Sequence, residues 1–410
     1  MSTIGLGSGA VAAGPRDPPT GWSGGALGSG TVGPLEGVKV VELGVWVAGP
    51  GAGGVLADWG AEVVKVEPPE GDPMRRLFAL LSGHGQPASP PFDLDNRGKK
   101  SVVADLATDA GRAAALELIA DSDVFLTNLR PAAVERFGLG PDTVMATNPQ
   151  LVYASVSGYG STGPDVDRAG YDVGAFWARS GIAATLNPPD HDPPMIRSGM
   201  GDHVTAMTLV AGISAALLAR ERTGKGQLVE TSLLRTGIWC MGWDLGIQLR
   251  FDKLLATGPR TEAPNPIANS YRCGDGKWFW LLGIEADRHW PTLLAAIDRT
   301  DLADDERFAT SRARRKNAAA LIEVLDQAFG SADRVHWTER FDRHDVWWAP
   351  INTAADVVID PQAIEAGAFV DVPEGEGAEA HRAVNTPVDF DGRTTRPNRG
   401  VPALGEHTAH

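Results

Sequence analysis

From Gly37 onward, short runs of apolar and β-branched residues alternate with longer stretches of helical periodicity. Val38–Leu43, Glu62–Glu67, Ser101–Leu106, Asp123–Thr127, Leu151–Ser157 and Leu228–Ser232 read as strands. Between them Pro50–Trp59, Ala110–Ala120, Pro131–Phe137 and Thr205–Arg220 read as helices, the last apolar enough to be a core helix. Strands that recur with helices between them predict a parallel sheet covered on both faces, a doubly wound α/β unit.

The texture changes near residue 250. Turn-forming residues crowd 258–269, then Lys277–Gly283 reads as a strand and His289–Asp298 as a helix. Charged helices follow at 303–330 and 332–344, and Trp347–Pro350 reads as a short loop. The expectation is a large α/β domain over 34–245, a smaller α+β domain over 246–370, and a segment over 371–410 that returns to the large one. One strand is expected near Pro387–Phe390. Residues 1–33, rich in Gly, Ser, Ala and Pro, read as a flexible tail, because they lack the basic start and apolar run of a signal peptide.

Composition narrows the function classes. A net charge of −15 argues against general binding to nucleic acid or an anionic membrane, while leaving room for a local basic pocket. No uninterrupted apolar segment approaches the ~20 residues that span a bilayer. The cysteines, Cys240 and Cys273, form neither a disulfide framework nor a zinc spacing, so no metal is expected and a cytoplasmic location fits.

Gly49–Gly54 fits the G-x-G-x-x-G pattern, and Glu67 stands where a ribose ligand would, which opens a dinucleotide reading. Residues Gly44–Ala48 nevertheless separate the strand from the glycines, and Pro50 lacks an N–H for a pyrophosphate. A tight turn of small residues accounts for the same run, and no nicotinamide or flavin is expected.

Chemistry gathers elsewhere. Asp202 follows Gly201 at the start of the core helix, where N–H groups and the helix dipole favour its ionised form. A carboxylate there is either a cap or a nucleophile. The sparse basic residues include Arg97, Lys99 and Lys100 before the third strand, and Arg130 and Arg136 after the fourth. Loops at the carboxyl ends of parallel strands bind ligands, so the last two are candidates for a phosphate, or else a solvated basic edge. Tyr171 and Asp172 open another helix with the same ambiguity as Asp202. Trp177, Trp239, Trp243, Trp347 and Trp348 line an acyl pocket or fill the core.

Several motifs stand in order: Pro34–Leu43, Ala48–Pro50, Gly60–Glu67, Asn96–Ser101, Asn128–Pro131, Gly201-Asp202, Thr223–Gln227 and Leu404–Thr408. Over residues 35–408 the chain resembles the class III coenzyme A transferases, whose fold α-methylacyl-CoA racemases share. The resemblance implies an enzyme that moves CoA from an acyl-CoA to a carboxylic acid acceptor through Asp202. It places CoA contacts on Trp46 and Val47, on Ala104–Ala107 including Leu106, on Lys100, and on Asn128, Leu129, Arg130 and Arg136. Tyr171 and Asp172 fall beside the thioester. An interlocked, ring-like homodimer is also implied. Racemases of this fold carry histidine where Tyr171 stands, and a phenol with a pKa near ~10 is a poor base for an α-proton. Transfer is therefore expected, with racemisation or plain acyl-CoA binding as the alternatives. The region Pro264–Asn269 lacks the glycine-rich loop of formyl-CoA transferase, so oxalate specificity is not expected.

Overall fold

β1 (Lys39–Leu43) and β4 (Val124–Thr127) lie side by side at the centre of a six-stranded sheet. Successive side chains of a strand point to opposite faces, and both faces here are apolar. Val40 and Leu126 pack toward helices α1 (Ala48–Asp58) and, later in the chain, Met200–Thr223. Val41 and Phe125 pack on the other face with Ile119, Leu139 and Val144. Each such side chain, once buried, stabilises the fold by about 1.5–3 kcal/mol.

The computed structural model describes residues 33–77, 89–188, 191–254 and 257–408. The expected tail over 1–33 falls outside these residues but for its last position. Around the central pair stand β2 (Glu62–Glu67), β3 (Lys100–Val103), β5 (Val152–Ser157) and β6 (Leu228–Ser232), in the order β3-β2-β1-β4-β5-β6. All neighbours run parallel. Chain order reverses between β1 and β4, the switch point of a doubly wound sheet.

The helices of this unit are α2 (Pro90–Asn96), α3 (Asp109–Ala120), α4 (Pro131–Arg136), α5 (Pro141–Thr147), α6 (Ile182–Thr185), α7 (Met200–Thr223), α8 (Leu233–Cys240) and α9 (Gly242–Phe251). A π-helix covers Asp172–Ala178. By length and a hydropathy of 1.4, α7 would pass for a membrane span, but it buries Thr205, Ala206, Leu209, Val210, Ile213, Ala216 and Leu217 in the protein. That stripe recurs at helical spacing and meets the sheet.

The glycine run belongs to α1 rather than to a phosphate-binding loop. A Cβ on Gly54 would stand 2.7 Å from the Asp95 carbonyl oxygen, so glycine lets α1 approach α2. Glu67 is committed as well. It pairs with Arg75 at 2.7 and 2.8 Å and accepts from Ser101 Oγ at 2.7 Å and the Asp72 N–H at 3.0 Å. Those partners occupy the carboxylate that a ribose would need; against burial, which raises it, Arg75, Lys65 and Ser101 hold it down to about 2.

Three expected elements shift. β3 ends at Val103: the Ala104 N–H makes the last bond to β2, on the Glu67 carbonyl at 2.9 Å, and Thr108 then caps α3 by accepting from the Gly111 N–H. The stretch 303–330 divides into Ser311–Lys316, capped by Thr310, and Ala318–Phe329. The expected loop at Trp347–Pro350 is instead largely a strand, Trp348–Ile351, at the edge of a three-stranded antiparallel sheet with Ser270–Arg272 and Trp278–Leu281. An edge strand tolerates Pro350, which has no N–H to donate. This sheet packs its own core around Tyr271, Phe279, Phe329 and Phe341. Near the C-terminus Asp389–Phe390 pairs with Arg393–Thr394, and an unforeseen pair joins Phe369–Val372 to His381–Val384. The last residues lie on the first sheet, with the His407 N–H on the Ser101 carbonyl at 2.9 Å.

Candidate active site

Four segments meet at the carboxyl end of β1: residues 44–47, residues 128–130, the start of the π-helix, and the first turn of α7. Asn128 joins the first two across the switch point. Its Oδ1 accepts from the Val45 N–H at 3.0 Å and its Nδ2 donates to the Val45 carbonyl at 2.6 Å. The Trp46 ring meets Tyr171 edge-on, with centroids 5.7 Å apart.

Buried charges shape the 44–47 segment from below. Lys65 Nζ lies 2.9 Å from Glu42 Oε1, from Asp72 Oδ2 and from the Gly44 carbonyl. Lys99 Nζ takes the other Glu42 oxygen at 2.6 Å and the Pro50 carbonyl at 2.8 Å. Burial opposes the Lys65 cation, but Glu42 and Asp72 outweigh it and hold the amine above its ordinary value. At Lys99 burial prevails and brings the amine down to about 8, although Glu42 opposes. Asp72 Oδ1 then accepts from the Trp46 N–H at 3.2 Å. These contacts keep Trp46 at a φ of 70°, a left-handed conformation that costs a residue with a side chain about 1–2 kcal/mol.

Asp202 stands in the first turn of α7, behind Gly199 at a φ of 80°. Gly201 is required there, since a Cβ would stand 2.5 Å from the Phe176 ring of the π-helix. The Met200 N–H turns back to the Arg197 carbonyl at 3.2 Å and the His203 N–H to that of Gly199 at 2.9 Å. Among the described residues this leaves the N–H groups of Gly201 and Asp202 as the open donors of the helix start.

The expected ionised carboxylate meets opposition. Burial first, then the nearby Asp172, raise the Asp202 carboxyl to about 7; Asp95 adds to the rise and His203 counters it. Asp172 itself is buried, accepting from the Val173 N–H at 2.7 Å and the Gly199 N–H at 2.9 Å. His203 bonds through Nε2 to Asp95 Oδ1 at 2.9 Å.

The sequence pattern of CoA-transferase family III matches residues 35–408. The chain belongs to that family. Among similar proteins is (R)-2-hydroxy-4-methylpentanoate CoA-transferase of Clostridioides difficile, 31% identical over 91% of this chain and 93% of that one. Cinnamoyl-CoA:phenyllactate CoA-transferase of Clostridium sporogenes is 34% identical over 80% of this chain and 81% of its own. The crystal structure of a CaiB/BaiF family protein from Brucella suis superposes with a TM-score of 0.81 at 34% identity, covering 92% of this chain and 97% of that one.

In this CoA-transferase all the sequence candidates but Lys100 fall into three groups. Trp46, Val47, Tyr171, Asp172 and Asp202 come together, with Val47 and His203 both against Gly199. Ala104, Leu106, Asn128 and Leu129 follow β3 and β4 along the same end of the sheet, where Leu106 and Leu129 pack into the core beneath it. Arg130 and Arg136 are exposed on α4 and its approach; Arg130 donates to the Asp167 carbonyl at 3.3 Å and Arg136 lies over the Phe137 ring. Lys100 stands apart. It begins β3 rather than ending it and pairs with Glu62 at 2.8 Å, at the amino end of the sheet.

Of the tryptophans, Trp177 is buried and donates to the Pro194 carbonyl at 2.9 Å, whereas Trp239 and Trp243 are over four-fifths exposed at 83% and 84%. Trp347 is half exposed and Trp348 borders the core of the smaller sheet. His203, Asp95 and Asp72 were not singled out from sequence. Only His203 carried a signal, its place beside Asp202.

Proposed function

We propose that this transferase moves CoA from an acyl-CoA thioester to a carboxylic acid through covalent intermediates on Asp202. The observation that carries the reading is the Asp202 carboxylate, set among converging loops beside the open N–H groups of Gly201 and Asp202, its side chain free of hydrogen bonds among the described residues. A carboxylate so placed is available to attack.

An Asp202 oxygen adds to the thioester carbonyl, and the C–S bond breaks to release CoA thiolate and leave a mixed anhydride. The thiolate attacks the aspartyl carbon, expels the donor acid as its carboxylate, and forms an aspartyl-CoA thioester. The acceptor carboxylate repeats the first step on that thioester. Returning thiolate then takes the acceptor acyl group and frees Asp202. Serine or cysteine would stop at an ester or thioester, because the exchange needs an anhydride. The N–H groups of Gly201 and Asp202 suit the oxyanion of each addition. Trp46, Val47, Ala104, Leu106, Asn128, Leu129, Arg130, Arg136 and Tyr171 line the path assigned to CoA, while Asp172 positions the helix start.

A homodimer belongs to the same reading. Helix α9 buries none of its residues in the single chain. Trp239, Trp243, Leu249 and Phe251 lie exposed along α8 and α9, an apolar surface that a second copy would cover.

Mass spectrometry after incubation with a panel of acyl-CoAs tests the assignment. A CoA adduct on the peptide containing Gly201-Asp202, absent from Asp202→Ala, is the expected result. Full transfer by that variant would overturn it.

A further inference from the structure

We infer that His203, anchored by Asp95, is a positioning residue that keeps the Asp202 carboxylate ionised for attack, an inference that rests on the nucleophile reading above. The two residues are neighbours on α7, yet their side chains are held by different parts of the fold. His203 Nε2 bonds Asp95 Oδ1 at 2.9 Å, and Asp95 is buried on α2. The opposite edge of the ring rests on the turn before α7: Cε1 and Nδ1 lie 3.5 and 3.6 Å from where a Cβ of Gly199 would stand. On the α1 side, Cδ2 lies 3.4 Å from the same position on Gly51. The ring is therefore seated between α1, α2 and the Gly199 turn, with one nitrogen anchored and the other toward the turn that Asp172 holds.

Among the described residues the charges that bear most on it are of one sign. Asp95 faces it from α2, Asp172 from the π-helix and Asp202 from its own helix, while Gly51 of α1 offers no charge. Burial disfavours the imidazolium, but the Asp95 bond and the surrounding carboxylates outweigh it and raise His203 above its ordinary value. His203 is thus the basic side chain that bears on these three carboxylates, and each of them favours its charged form. Without it, Asp202 would face Asp172 and Asp95 uncompensated, and its proton would leave less readily. The side chain is 44% exposed, so it exchanges protons with solvent.

A plain structural bridge between α2 and α7 would respond differently to mutation. Removing a bridge lowers activity alike at every pH, whereas removing a counter-charge moves the acid limb of the profile.

The test is the pH dependence of kcat/KM for CoA transfer in wild type, His203→Gln and His203→Ala, the last with and without added imidazole. We expect both variants to lose about three- to tenfold at pH 6 and under about threefold at pH 9, the limb moving up by roughly half to one unit. Imidazole should move the His203→Ala limb back. An unmoved limb overturns the proposal, whether activity is unchanged or lost evenly. Asp202→Asn run in parallel separates the two ideas: if it transfers CoA at the wild-type rate, the nucleophile reading has failed, irrespective of His203.

Discussion

Asp172 Oδ2 accepts the N–H of Gly199 at 2.9 Å, tying the start of the π-helix to the residue from which α7 springs. The bond links two segments far apart in sequence and sets where the first turn of α7 begins. Asp172 therefore acts on Asp202 both by geometry and by charge.

Asp172→Asn separates those roles, because the amide oxygen can still accept from Gly199 while the charge is gone and only the bond from the Val173 N–H is given up. Loss of the negative charge should lower the Asp202 carboxyl from about 7, moving the acid limb of kcat/KM down by about one unit. Asp172→Ala should also cost transfer at its optimum, by tenfold or more, through misplacement of the helix start. A pH profile of both variants checks this, and an Asn variant with the wild-type limb would refute the charge argument.

Asp202→Asn should stabilise the protein most at alkaline pH. The folded carboxyl, raised to about 7 from 3.8, binds a proton that the unfolded chain gives up between those values, so its contribution to stability falls as pH rises through that window. The full shift corresponds to about 4 kcal/mol, and partial exposure reduces this to ~1–2 kcal/mol. Urea unfolding at pH 5 and pH 8 should show the larger gain at pH 8. Equal gains would contradict the shift.

Lys65→Met leaves Glu42 and Asp72 buried beside an apolar chain. Breaking a buried ion pair from one side costs about 3–5 kcal/mol. The Gly44 carbonyl also loses its donor, so the 44–47 segment should loosen and KM for acyl-CoA rise. Denaturation midpoints together with KM are the measurements; an unchanged KM in a folded variant would show that the network does not hold this segment.

Gly201→Ala tests the contact with Phe176. An added methyl 2.5 Å from the ring forces either helix to move, at about 1–3 kcal/mol. Transfer should fall by at least tenfold, because the displaced turn carries Asp202. Phe176→Ala in the same chain should recover part of it, as a double-mutant cycle would show.

Local periodicity alone carried much of this protein. The apolar runs at Val40-Val41 and Phe125-Leu126 announced strands buried on both faces, and the stripe along α7 announced a core helix. An aspartate at that helix start, in a chain with the ordered motifs of a transferase family, was legible too. These signals are local because backbone geometry repeats every two residues in a strand and every 3.6 in a helix.

Tertiary structure decided what those residues do to one another. Asn128 clamps Val45 from 83 positions away, and Asp95 holds His203 from 108. Neither pairing leaves a trace in the neighbouring sequence. The proton affinity of Asp202 is likewise a sum over burial and charges brought from the π-helix and α2, and it reverses what the helix start alone implies. Lys100, near the expected ligand in sequence, lies at the other end of the sheet because β3 begins with it. Sequence spacing places residues on elements; only the packed chain sets the distances on which charge and reactivity depend.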